Sequence, residues 1–174
     1  MRKLSVCLVA GSSILLIAIS SLLAPSPRLV WNASASAPVG LYRIETGIAP
    51  KVGDLLAVKA PETIARFLAA HGYLPINALL LKRVAALSGT PICRLDERIL
   101  VAGCEIARAK RRDSQGRVLP QWRGCRRLGD DELFLVNADV PDSLDGRYFG
   151  PFPRRAVVGL AHPLWIDRAK DERP

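Results

Sequence analysis

One lysine in this chain sits where an ammonium ion has little to gain. Lys82 lies in LLLKRVAAL (79–87), a run that is otherwise apolar except for Arg83. Side chains alternate along a strand, so Lys82 and Arg83 point to opposite faces. A lysine without a counter-ion in an apolar pocket loses its proton more readily, because desolvation penalises the charged form. From an ordinary pKa of about 10.4, a drop of about two to three pH units makes it a base near neutrality. Such a lysine can activate a serine without histidine. The rival reading of this run alone is a strand-end lysine whose ammonium reaches back to water.

Ser36 is the serine to set beside it. It lies in WNASASAPVGLYR (31–43). In an extended segment, residues i and i+2 share a face, so the Ser34 and Ser36 hydroxyls point the same way. Pro38 biases Ala37 toward an extended conformation. One serine could attack while the other, with a backbone N–H, steadies an oxyanion. Read alone, SASAP is also a plausible linker, and Asn32-Ala33-Ser34 matches a glycosylation acceptor.

A third group is PDSLDGRYFGP (141–151). Ser143, Asp145 and Arg147 alternate on one strand face. Asp145 could pair with Arg147 to stiffen a loop, and Ser143 could hydrogen-bond an amine. The rival is a tight turn rich in turn formers. His71 and His162 leave a Ser-His-Asp triad conceivable, but His71 ends a helix and His162 precedes Pro163. No zinc-finger or CxxC spacing occurs, so neither a metal nor a cofactor is expected.

The elements that must position these residues begin with a membrane segment. After Arg2 and Lys3 comes the uncharged run LSVCLVAGSSILLIAISSLLA (4–24), followed by Pro25, Pro27 and Arg28. As a helix it spans roughly 30 Å, about one hydrocarbon core. The basic residues ahead of it favour a cytoplasmic N-terminus, with the remainder outside. The rival is a cleaved signal peptide, with Ala33-Ser34-Ala35 as a small-x-small site, although such apolar regions usually run to about 7–15 residues. Under either reading the domain is exported, and disulfides become possible. Cys93, Cys104 and Cys125 lie outside the span. A loop closed from Cys93 to Cys125 would contribute roughly 3–4 kcal/mol, and three free thiols are the alternative.

The 174 residues suffice for one domain, expected as an anchor over 1–27, a catalytic domain over 28–168 and a charged tail over 169–174. One helix is well marked: Pro61 and Glu62 suit its first turn, Ile64, Phe67, Leu68 and His71 share a face, and Gly72 supplies the stop. Elsewhere DLLAV (54–58), LLLKRVAAL, RILVA (98–102), ELFLVN (132–137) and AVVGLA (156–161) are strand-length apolar runs between turn formers. Residues 105–130, with the basic run Arg108 to Arg112, read as a loop or irregular insertion. The fold expected is mainly β with one short helix, on an N-terminal transmembrane helix.

The order anchor, Ser, Lys, then S-x-D-x-R resembles the type I signal peptidases, and more narrowly their conjugative-transfer branch, the TraF-type pilin-processing peptidases. The closer likeness rests on SAPVGLYR (36–43), VGDLLAVKAP (52–61), HGYLP (71–75), LLLKRVAALSGTPIC (79–93), GRVLPQWRGCRRL (116–128) and FLVNADVPDSLDGRYFGPFPRRAVVGLAHPLW (134–165). Separately these motifs are weak; jointly and in order they are strong. The resemblance implies a compact domain of antiparallel β-sheets. It makes Ser36 the nucleophile, Lys82 its general base and Ser143 the hydroxyl bonded to that lysine. Asp145 and Arg147 become a structural ion pair, and the Ser36 N–H with Ser34 an oxyanion hole. It also favours pairing Cys93 with Cys125. Two departures stand out: proline comes two residues after the serine, as in the conjugative branch, and Gly146 replaces the usual serine between Asp and Arg.

The resemblance further implies a pilin precursor as substrate, bound in a shallow groove as an added strand with small side chains, and cut or cyclised through an acyl-enzyme. The enzyme would sit in the inner membrane with its catalytic domain on the periplasmic side, among lipid and the conjugation or secretion machinery. The other class of reading is a non-catalytic tethered β domain that scaffolds a secretion or pilus assembly. The net charge of +9 also suits nucleic acid or anionic lipid. A DNA-binding role for residues 108–112 is disfavoured, because that segment lies outside the cytoplasm and lacks interleaved aromatics.

Overall fold

The structure is a computed structural model that describes residues 2–23 and 28–167. The end of the expected span at residue 24, the stops at Pro25 and Pro27 and the tail 169–174 lie outside the described residues. A helix, α1 (Arg2–Leu23), does form over the apolar N-terminal run. Its apolar side chains at Val6, Leu8, Val9 and Ile14 are exposed. Among the described residues, no helix is long and apolar enough to cross a membrane, so the transmembrane span expected there is not found.

The remainder is mainly antiparallel β. One sheet has seven strands and the other four. The large sheet runs β1 (Leu29–Asn32), β2 (Gly40–Glu45), β11 (Val157–Ile166), β3 (Leu55–Lys59), β4 (Leu79–Ala86), β9 (Glu132–Leu135) and β10 (Phe152–Pro153) from edge to edge. The small sheet runs β7 (Cys104–Arg108), β6 (Arg98–Val101), β5 (Pro91–Leu95) and β8 (Gly124–Arg127). All five apolar runs became strands. Four of them lie in the large sheet, and these read as continuous rather than alternating because that sheet is covered on both faces. Leu56, Val58, Leu80 and Val84 pack on one face beneath α2 (Glu62–Ala70), whereas Ala57 and Leu81 pack on the other with Ala37, Tyr42 and Ile44. α2 turns off at Gly72, whose φ of +69° suits a residue without a Cβ.

Residues 105–130 are less irregular than expected. β7 and β8 lie at the two ends, and Leu119 and Leu128 are buried between the sheets with Ile92, Ile99 and Phe134. Charge density hid these strands, because edge strands tolerate polar side chains on both faces. The S-x-D-x-R segment is not a strand. Its backbone turns into a short helix, α3 (Gly146–Phe149), and Asp145 caps that helix by accepting from the Arg147 N–H. Aspartate at a helix start offers the backbone a better bond than a ladder would.

Candidate active site

Ser36 sits in the turn that follows β1, and Asn32 builds that turn. The Asn32 side chain is 7 % exposed. Its Nδ2 donates to the carbonyls of Ser34, Ala37 and Pro38 at 3.0, 2.9 and 3.1 Å. Its Oδ1 accepts from the Ser34 N–H at 3.1 Å and the Ser34 hydroxyl at 2.8 Å. The segment is therefore turned rather than extended. The two serines still meet, with Ser34 Oγ and Ser36 Oγ 3.0 Å apart. The proton order follows from Asn32 Oδ1 being an acceptor only: Ser34 donates to Asn32, so Ser36 donates to Ser34. The Ser36 N–H has no acceptor among the described residues.

Lys82 is turned inward from β4 and is 2 % exposed, while its neighbour Arg83 faces solvent. Its Nζ donates to Ser143 Oγ at 2.8 Å. Desolvation pushes the amine down to about 8; the Asp145 charge opposes this and the Arg147 charge adds to it. Asp145 does not offset the burial, because Arg147 claims its carboxylate. Arg147 Nε and Nη2 reach Asp145 Oδ1 and Oδ2 at 2.9 Å each, with both side chains fully buried. The same guanidinium gathers the carbonyls of Asn137, Val140 and Ser143, at 3.2, 2.6 and 3.1 Å, and so shapes the loop that presents Ser143.

Asn137 joins these two halves. Its Nδ2 donates to the Ser36 carbonyl and to the Leu81 carbonyl, the latter at 3.0 Å. Its Oδ1 accepts from the Arg83 N–H at 2.8 Å, and its own N–H donates to Asp145 Oδ2 at 3.0 Å. One amide thus grips β4 on either side of Lys82 while holding the Ser36 turn. Ser36, Lys82 and Ser143 line one cavity of about 250 Å³, walled by apolar groups such as Leu80, Leu119 and Leu144. No hydrogen bond joins Ser36 Oγ to Lys82 Nζ among the described residues. Neither His71 nor His162 lines this cavity: His71 Nδ1 lies 2.8 Å from the Phe67 carbonyl, and His162 lies against Glu45. Among the described residues no cluster of potential metal ligands forms. A buried amine bonded to one hydroxyl shares its cavity with a second, which lies on a turn with a spare backbone N–H; these are the groups that nucleophilic acyl transfer requires.

Residues 1–165 match the family model for signal peptidase, peptidase S26. The chain belongs to the S26 signal peptidase family. Its relatives place it in the TraF branch. It is 32 % identical to a conjugal transfer protein TraF of Agrobacterium fabrum (strain C58), over 77 % of this chain and 80 % of that one. It is 31 % identical to a plasmid transfer protein TraF of Escherichia coli, over 90 % and 92 %. A probable conjugal transfer protein TraF of Sinorhizobium fredii is 34 % identical over 76 % and 74 %. A signal peptidase I structure from Enterococcus faecalis V583 covers 65 % of this chain and 97 % of its own, at 20 % identity and a TM-score of 0.40.

Within this S26 domain, Cys93 and Cys125 are bonded directly across β5 and β8, and Cys104 is free and exposed. The departure at Gly146 has a steric cause. A Cβ there would meet the Leu135 carbonyl and the Phe134 ring, each at 2.8 Å. Two residues that organise the site were missed. Asn137 was visible only as a polar residue closing the apolar run ELFLV. Asn32 matches a glycosylation acceptor only by a short pattern that is common by chance, and its amide is consumed by the turn. The sequence signal available for both is an asparagine that closes an apolar, strand-length run.

Proposed function

We propose that this chain is a membrane-anchored serine endopeptidase of the signal peptidase type, with Ser36 as nucleophile and Lys82 as general base. The observation that carries this reading is the Lys82 amine, buried and bonded to Ser143 in the same cavity as Ser36. The Ser36 hydroxyl turns from Ser34 to Lys82, which takes its proton as Oγ attacks the scissile carbonyl. The Ser36 N–H receives the oxyanion, and the Ser34 hydroxyl joins it by turning away from Asn32. Collapse breaks the C–N bond, and Lys82 returns its proton to the leaving amine. The Ser36 ester then passes its acyl group to water or, in a cyclising reaction, to the amino terminus of the substrate itself.

The substrate class we propose is a conjugative pilin precursor, in keeping with the transfer proteins among the relatives. β1 is an edge strand leading into the Ser36 turn, which suits binding of substrate as an added strand. In this reading the uncharged run 4–24 is the anchor, with Arg2 and Lys3 on the cytoplasmic side. The exposed, stacked rings of Trp31 and Trp165, 5.7 Å apart and flanked by exposed Leu29 and Leu164, suit the membrane–water boundary. The same reading has the catalytic domain on the periplasmic side. The test is mass spectrometry of the precursor in cells carrying Ser36→Ala, Lys82→Ala or Lys82→Arg. All three leave it unprocessed, since arginine stays charged; processing by any of them at the parental rate rejects the dyad.

A further inference from the structure

The loop that presents Ser143 is held from behind by the small sheet. Arg94 of β5 donates from Nη1 to the Arg147 carbonyl at 2.6 Å. Trp122, just ahead of β8, donates from Nε1 to the Gly146 carbonyl at 2.9 Å. The Lys110 N–H donates to the Tyr148 hydroxyl at 3.1 Å. These bonds fall on α3, whose four residues leave most carbonyls without an intrahelical partner. Arg94 is 2 % exposed and forms no ion pair among the described residues. Its remaining bonds go to the carbonyls of Asp96 and Pro120, at 3.2 and 3.3 Å. Burying a guanidinium with only carbonyls and the Tyr148 ring, 6.0 Å away, as partners is costly, so a plain packing role explains it poorly.

The disulfide lies between the two donors. Cys93 adjoins Arg94, Cys125 follows Trp122 by three positions, and the two cysteines are direct partners in the β5–β8 pairing. β8 is an edge strand with every residue exposed, so little burial holds it to β5.

We propose that Arg94 and Trp122 are positioning residues for Lys82, and that the Cys93–Cys125 disulfide keeps both at working distance, so the general base is set only in the oxidised, exported domain. This rests on the peptidase reading. α3 begins at the Asp145 cap, and Ser143 lies just before it. Releasing the carbonyls of Gly146 and Arg147 lets Ser143 and the Asp145–Arg147 pair shift, water reaches Nζ, and the amine keeps its proton to higher pH. The groups facing Lys82 are Ser143, Asp145 and Arg147, and across the cavity Ser34, Ser36, Lys110, Asp113, Asp142 and Tyr148. Trp122→Phe alters none of these charges and none on the brace. Arg94→Lys keeps the charge of Arg94 but loses its fork.

The experiment is a pH titration of the Lys82 side-chain NMR signal in the full chain in detergent micelles, with precursor processing followed in parallel. The parent should titrate at about 8. Trp122→Phe, Arg94→Lys and the dithiothreitol-reduced parent should titrate about one pH unit higher, with roughly tenfold slower processing at pH 7 that recovers above pH 9. Folded variants with the parental midpoint and the parental rate at pH 7 overturn the brace. An unchanged midpoint on reduction overturns the role of the disulfide. Should Arg94→Lys fail to fold, Trp122→Phe decides alone. A parent that titrates near the ordinary lysine value rejects the peptidase reading instead.

Discussion

Asp145 is bound to Arg147 and not to Lys82. Both of its carboxylate oxygens take a guanidinium nitrogen at 2.9 Å, in a pair with almost no exposure. The carboxylate that would favour a charged Lys82 is thereby neutralised by a stronger partner, and burial can hold the amine near pH 8. Arg147→Met should reverse this. It removes a cation that lowers the Lys82 pKa and frees an anion that raises it, so both changes act in one direction. The pH–rate profile should move to higher pH by more than one unit, and stability should fall by about 3–5 kcal/mol, the usual loss for breaking a buried pair. An unmoved pH profile in the folded variant would show that the pair does not set the base.

Lys82 should cost stability at neutral pH. Its folded pKa of about 8 lies below the unfolded value near 10.4. Between those values the unfolded chain binds the extra proton, so stability rises as pH climbs from about 8 to about 10.4 and is lost again as pH falls. Below about 8 the penalty is constant, at up to about 3 kcal/mol. Lys82→Met should abolish processing yet raise the unfolding free energy at pH 7 by about 1–3 kcal/mol. It should also flatten the alkaline rise, as read by urea unfolding at pH 7 and pH 10.

Asn137 should matter as much as a residue that touches substrate. Asn137→Ala leaves the Leu81 carbonyl and the Arg83 N–H without their partner and releases the Ser36 turn. A loss of about 1–3 kcal/mol in stability is expected from the unpaired groups. The larger effect should be on kcat, with KM nearly constant, because the turn and β4 lose their shared register. Steady-state kinetics at fixed pH separate the two parameters.

Gly146→Ser restores the residue that signal peptidases usually carry here, and should be harmful in this chain. The new Cβ would stand 2.8 Å from the Leu135 carbonyl and from the Phe134 ring. Overpacking of this kind costs about 1–3 kcal/mol. Thermal unfolding should show a lower midpoint than the parent, and a rise would mean that the loop and β9 are free to separate.

Five of the strands, and the opposite orientation of two adjacent basic residues, were legible in the residues alone. Apolar runs need burial, and strand alternation sends Lys82 and Arg83 to opposite sides whatever the rest of the chain does. The residues also set the order Ser36, Lys82, Ser143, Asp145, Arg147, which carried the family. Contacts across the fold were decided only by the tertiary structure. Asn32 and Asn137 look like surface amides until the turn and β4 close around them. Arg94 looks like a strand-edge charge until α3 arrives above it. The S-x-D-x-R segment obeys its helix cap rather than strand alternation. Asn137 and Arg94 each had many possible partners within the chain, and long-range packing selected among them; Asn32 and Asp145 bond near neighbours, but the same side chain could have served a turn, a cap or water. Hydrophobic periodicity is local and survives in the one-dimensional record.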